Sequence, residues 1–320
     1  MKKMMVMLLI LAAIISCSDD AKIPDAVSEI PVEVEVVRFD KTFAKSSMAE
    51  LPKLKKEFPY LFAKQYDDAY WANKFQDTLQ QELNREVAKA FPDFDEEKVA
   101  LENVFKHIKY YYPKQPDPKV ITIISEVDYR NKVVLADSLL IVALDTYLGA
   151  DHYFYGNIAK FQSRYFEPNQ IDIDVAYAFA REHTALPQGN TFLSQMIYEG
   201  KLVYFAKQLL SLKTEYEVLG FTQDEYVFSQ ENEKNVWEYF VSKELLYATD
   251  RKLGTRFLDP APFSKFYLAF DNETPGRIGR YIGYEIVKSY MENSDVPLKT
   301  MLVQDAATIF ASAKYKPKKS

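Results

Sequence analysis

Cysteine occurs once in these 320 residues, at position 17. That leaves no disulfide framework open to the chain, and no cysteine-rich metal site. Histidine is nearly as scarce. His107, His152 and His183 lie in three separate segments, whereas a tight zinc site draws on several His or Cys ligands. There is no Gly-x-Ser-x-Gly elbow to carry a serine nucleophile, and no P-loop. Acids outnumber bases by 46 to 40, a net charge of −6, which disfavours a nucleic-acid partner. Glycine is sparse at nine residues, and no internal repeat or long low-complexity block occurs. Disorder and linear repeat arrays are thereby disfavoured.

What the chain does have is a large apolar and aromatic content, 48% hydrophobic with 23 tyrosines and 22 phenylalanines. A chain of this length and composition buries a sizeable core. It opens on "MKKMMVMLLILAAIISC": a positive Lys2-Lys3 start, the apolar run Met4–Ile15, and a small residue before Cys17. The run falls short of the ~20 residues that cross a bilayer, so it reads as a secretory signal. Ile14-Ile15-Ser16-Cys17 resembles a bacterial lipobox, with Ile15 where a smaller residue is commoner. The expectation is a signal over 1–16 and lipidation at Cys17; a buried thiol in an ordinary signal is the alternative. Acyl chains add ~0.8 kcal/mol of membrane affinity per buried methylene, so the lipid supplies the membrane attachment. Polar residues 18–31 with two prolines read as a tether, and residues 32–320 as the folded domain.

"VEVEVVRFD" (32–40) alternates like a half-exposed strand. Phe75, Leu79, Leu83, Val87 and Phe91 form a helical stripe. Val120–Ile124 and Leu139–Leu144, with a turn near 128–132, suggest a small antiparallel sheet. Helices are expected at 172–186, 191–212, 233–248, 276–292 and 304–313. The fold class is therefore α+β, a predominantly helical single domain with a small antiparallel sheet.

Single residues carry less. His152 follows Asp151, with Asp145 upstream, which would allow a metal or general-base role; a turn holding a partly buried imidazole is the alternative. His107 closes an amphipathic helix, where a cation favours the dipole. Gly276, Gly279 and Gly283 stand beside Arg277 and Arg280, which invites comparison with a phosphate loop. Their spacing is not a dinucleotide fingerprint. Positions 276, 279/280, 283 and 287 share one helical face, and the reading is close packing of another element.

Several separated motifs carry a resemblance. They are "VFKHIKYYYP" (104–113), "LDTYLGADHYFY" (144–155), "MIYEGKLVYF" (196–205), "NEKNVWEYFVSKELLYATD" (232–250), "APFSKFYLAFDNETPGR" (261–277), "GRIGRYIGYEIVKSYM" (276–291) and the terminal "KYKP". Together they resemble the gliding-motility lipoprotein GldB family of Bacteroidetes. The resemblance implies a lipid-anchored cell-envelope protein, facing the periplasm or the outer surface, needed for gliding in organisms that use type IX secretion. It implies other gliding or secretion proteins as partners and no cofactor.

The order of the helices is also similar, more distantly, to predicted zincin-like metalloproteases. Those carry H-E-x-x-H on one helix and an E-G on the next. In this chain the five positions fall at Tyr177, Ala178, Phe179, Ala180 and Arg181, with Glu199-Gly200 at the E-G. The similarity implies a degenerate zincin-like site without a general base, in which Glu199 pairs with Arg181 or simply meets solvent. The expected role is a non-catalytic scaffold, with Tyr110–Tyr112 or the Arg277, Arg280 and Tyr284 neighbourhood as partner contacts. The alternative is a residual hydrolase using carboxylates around Glu199, with Glu182 and His183 or His152.

Overall fold

The computed structural model describes residues 23–318; Cys17, the signal and the start of the tether lie outside the described residues. The first half of the chain supplies α1 (Asp25–Ser28), β1 (Glu35–Val37), α2 (Phe39–Ala44), α3 (Leu51–Glu57), α4 (Asp68–Gln76), α5 (Thr78–Ala90) and α6 (Asp95–Tyr111). Next come β2 (Lys119–Ile123), β3 (Val133–Ala136), β4 (Leu139–Ala143) and α7 (Lys160–Ser163). The long helices α8 (Ile171–His183) and α9 (Phe192–Leu209) follow, then α10 (Glu215–Leu219), α11 (Gln223–Glu231), α12 (Glu233–Ser242) and α13 (Lys252–Phe257). The chain closes with α14 (Ile278–Glu292), α15 (Leu298–Val303) and α16 (Ala306–Ala313). The α+β class holds, and the sheet is small.

The sheet is mixed rather than antiparallel, which corrects the expectation from the sequence. Its order is β1-β2-β4-β3. β1 runs parallel to β2, and β2 parallel to β4, with Ile121 opposite Ile141. Only the β3–β4 hairpin is antiparallel. β3 takes the edge and leaves β4 free to lie alongside β2. The parallel β1–β2 pair encloses α2 to α6, which form its crossover.

Alternation along β2 divides the core. Val120 faces the large cluster with Leu140 and Val142, whereas Ile121 faces a second cluster built on Phe39, Phe43, Phe58 and Phe62. The expected stripe from Phe75 to Phe91 is broken between these clusters. Asp77 ends α4 and caps α5, accepting from the Gln80 backbone at 2.8 Å. That cap resets the helical phase, so Phe75 stacks on Phe43 at 4.7 Å while Leu79 is exposed. Leu83, Val87 and Phe91 remain buried.

The second half of the tether is not free chain. Val27 is buried, and Lys106 and Lys109 of α6 donate to the carbonyls of Ser28 and Pro31. At the other end, Lys314 takes a left-handed turn after α16. The chain then folds back, and the Tyr315 hydroxyl donates to buried Glu233 at 2.9 Å. Tyr281 donates to the same carboxylate at 2.9 Å, and Tyr315 also packs on Trp237.

The centre of the large cluster is the crossing of α9 and α14. A Cβ built on Gly283 would lie 1.9 Å from the Met196 carbonyl oxygen, and one on Gly200 would lie 2.1 Å from that of Gly283. The two backbones touch, so Gly283 supplies the close packing expected of the glycine face; Gly279 instead faces Phe257, and Gly276 precedes α14 and meets the Ala261 carbonyl. Nearby, Lys201 is buried and donates from Nζ to the carbonyls of Leu302 and Gln304 behind α15. Burial pulls its amine from an ordinary 10.5 to about 8. Between those values the unfolded chain binds the proton and the folded chain does not, so this group makes stability rise with pH. The unfolding free energy of the wild type relative to Lys201→Met, from urea titrations, should climb from about pH 8 to 10.5 by about 1–2 kcal/mol after discounting for solvent screening. A flat difference would refute the assignment.

Candidate functional site

Two of the four residues singled out from the sequence as vestigial zinc positions share a cavity with the two arginines singled out as contacts. α8 brings Tyr177 and Arg181, and the start of α14 brings Arg277 and Arg280, to one open cavity of about 300 Å³. Ile173, Val175, Ala176 and Phe179 are buried; they anchor α8 in the core, and residues 174, 177 and 181 line the cavity. Arg277 has a left-handed backbone, φ 64°, as the N-cap of α14. This turn sets it beside Arg280 at the cavity wall. Lys132, Tyr129 and Tyr165 complete the basic and aromatic lining, with Asp174 and Glu217 as its acids.

The guanidinium groups lie over tyrosine rings. Arg280 sits 4.5 Å and Arg181 5.8 Å from the Tyr177 ring centroid, and Arg277 lies 5.3 Å from that of Tyr165. Such contacts contribute about 0.5–2 kcal/mol each and orient the planar forks. The Tyr177 hydroxyl is already committed, donating to the Val218 carbonyl at 2.7 Å. Burial raises the pKa of that phenol. Burial also lowers the pKa of the Arg277 guanidinium; the charge of Arg280 adds to this, and Tyr165, Tyr177 and Glu199 oppose it.

Glu199 sits beside this cluster, but its partner differs from the one expected. Arg280 Nε approaches Glu199 Oε2 at 3.5 Å, while Arg181 is exposed and has no ion pair among the described residues. α9 and α14 touch at Gly200 and Gly283, which places Glu199 nearer Arg280 than the solvent-facing end of α8. The Arg280–Glu199 pair is poorly made: Nε is buried and forms no hydrogen bond. Ala178 is half-buried on α8.

The other candidates are dispersed. Tyr284 is buried, not a surface contact; its hydroxyl donates to Glu215 at 2.8 Å, beside Lys288. One further turn along α14 carries it away from the arginines. Of the tyrosine run, Tyr110 is exposed, Tyr111 meets Gln208, and Tyr112 packs on Phe179 and His183. His107 is buried and donates from Nδ1 to the Asn103 carbonyl. Burial lowers its pKa, which corrects the expectation of a helix-end cation. His152 meets Glu86 at 3.1 Å. His183 donates to the Phe179 carbonyl, and Glu182 is exposed. Lys132, Asp174 and Glu217, which join the arginines at the cavity, were not singled out from the sequence, because they come from three separate segments and nothing in any of them points to the others.

Residues 20–317 match the family model for the gliding motility protein GldB. The chain belongs to the GldB family. No curated protein and no solved structure matches it. Segments that carried the resemblance meet in the structure: "NEKNVW", "GRYIGYE" and the terminal "KYKP" come together at Glu233, Tyr281 and Tyr315. The arginines of the "GRIGR" segment line the cavity. Among the described residues no helix is long and apolar enough to cross a membrane.

Proposed function

We propose that this GldB-family chain is an envelope lipoprotein, anchored through Cys17, that serves gliding motility as a non-catalytic docking component. Family membership carries the motility role. The docking role is supported above all by the arginines around Tyr177 and Glu199. If the zincin-like register is right, Tyr177, Ala178 and Arg181 stand where two imidazoles and a general base would be required. A guanidinium 3.5 Å from Glu199 opposes a divalent cation there, and a lone carboxylate does not complete a tetrahedral zinc site. A cationic, aromatic-walled cavity suits recognition of a partner group carried by the gliding or secretion machinery.

Two measurements test this reading. The mature lipoprotein, purified in neutral detergent, incubated with excess zinc and desalted, should retain well under one zinc per chain by elemental mass spectrometry. A full equivalent would return the hydrolase alternative around Glu199. Cys17→Ser should move the protein out of the membrane fraction and abolish gliding, because the acyl chains supply the attachment. Unchanged membrane retention would overturn the anchor.

A further inference from the structure

The charges lining the α8–α14 cavity do not balance. Lys132, Arg181, Arg277 and Arg280 line it with only Asp174 and Glu217, and even with Glu199 beside Arg280 at 3.5 Å the bases outnumber the acids, in a chain whose net charge is negative. Both lining acids are already engaged. Asp174 takes Lys132 at 2.5 Å and the Tyr147 hydroxyl at 2.8 Å. Glu217 closes the capping box of α10, accepting from the backbone and hydroxyl of Thr214 at 2.7 Å. No carboxylate among the described residues therefore pairs with Arg181 or Arg277. Arg280 is only 8% exposed, and its Nε has no hydrogen-bond partner. Its ionic contact with Glu199 at 3.5 Å leaves that buried N–H without a hydrogen bond, which destabilises a fold; the aromatic contacts offset only part of that.

We propose that this cavity binds the dianionic phosphate group of a phosphate monoester. Two guanidiniums without carboxylates match two negative charges, which a carboxylate does not supply. Their planar forks suit bidentate contact with phosphate oxygens, and Arg280, held against Glu199, adds positive potential at the wall. The N-terminus of α14 adds a favourable dipole. Its first N–H is not a donor to the ligand, since Ile278 donates to Ser264 Oγ at 3.1 Å. A volume of about 300 Å³ accommodates the phosphate and a small attached group. Tyrosine rings form the walls against which that group packs. This deepens the docking reading by naming the chemistry recognised, and it rests on that reading only for its role in motility.

The test is calorimetric titration of the mature lipoprotein in neutral detergent with glycerol 3-phosphate, with inorganic phosphate, and with acetate as the monoanionic control. The expected result is saturable binding of the monoester, with acetate at least about tenfold weaker. Affinity should fall as pH drops through the ester's second pKa of about 6. Arg181→Gln, on an exposed position, and Arg277→Gln should each weaken binding by about tenfold while the melting temperature moves by only a few degrees. Short-chain phosphatidic acid distinguishes the sources: tighter binding than glycerol 3-phosphate assigns a lipid headgroup, and equal binding assigns a soluble ester. Absence of binding, equal affinity for acetate, or insensitivity to both arginine variants overturns the site. If glycerol 3-phosphate binds but Arg181→Gln cells glide normally, the site stands and its role in docking falls. If nothing binds while those cells stop gliding, the phosphate assignment falls and docking stands.

Discussion

Gly283→Ala is expected to destabilise the fold by about 3 kcal/mol or more, at the upper end of what overpacking a core costs. The added methyl would lie 1.9 Å from a main-chain oxygen, that of Met196, so no side-chain rotation relieves the clash. The helices would have to part by more than an ångström, and parting them exposes Met196, Ile197 and Ile286, all of which are fully buried. Gly200→Ala meets Gly283 from the opposite side at 2.1 Å and should cost a similar amount. Because both changes break one contact, the double variant should lose clearly less than the two single losses added together. Urea denaturation of the three variants checks this. A single variant within 1 kcal/mol of the wild type would show that the crossing is looser than described.

The second large effect is expected at Glu233. Its carboxylate is buried at 1% exposure and accepts from the Tyr281 hydroxyl, the Tyr315 hydroxyl and the Lys318 backbone N–H. Glu233→Leu leaves two phenols and an amide without an acceptor. At about 1–3 kcal/mol per stranded donor, partly offset by the leucine's own burial, the net loss is about 2–4 kcal/mol. Glu233→Gln keeps an acceptor and should lose only about 1 kcal/mol. Hydrogen exchange adds a local readout. In the leucine variant residues 314–318 should lose protection while the α9–α14 crossing keeps it. Uniform loss across the chain would mean that the tail is not held by this carboxylate.

What the sequence made legible follows from how local each signal is. α8, α9 and α14 have long runs of buried residues bounded by caps or turns, and their extents are close to those read from the pattern. The parallel pairing of β1 with β2 is not local. Glu35 meets Lys119 across five intervening helices, and a three-residue strand has too few positions to declare a partner. The cavity was half legible for a similar reason. Arg277 and Arg280 stand out because two arginines flank glycines in one short segment. Arg181 was noticed for what it replaces, not for what it faces. Lys132 and Asp174 reach the same space from a loop and a helix 42 residues apart in number, and nothing in either segment announces the other. The exchange of Arg181 for Arg280 as the neighbour of Glu199 belongs to the same class. It depends on where two helices cross, which the glycines set and which no motif spells out.

The touching backbones of α9 and α14 also bear on how the protein responds to force. Glu199 is adjacent to Gly200, and Arg280 is one turn from Gly283, so both side chains are mounted at the fulcrum of the crossing. Ordinary helix interfaces yield by side-chain repacking and let one helix slide on the other. Here main chain abuts main chain, and sliding is blocked. The crossing is thereby expected to be stiff, and the wall of the cavity that Arg280 forms is fixed to it directly. Under the docking role proposed above, that rigidity means a pull applied at the cavity reaches the rest of the domain with little lost in deforming the crossing between.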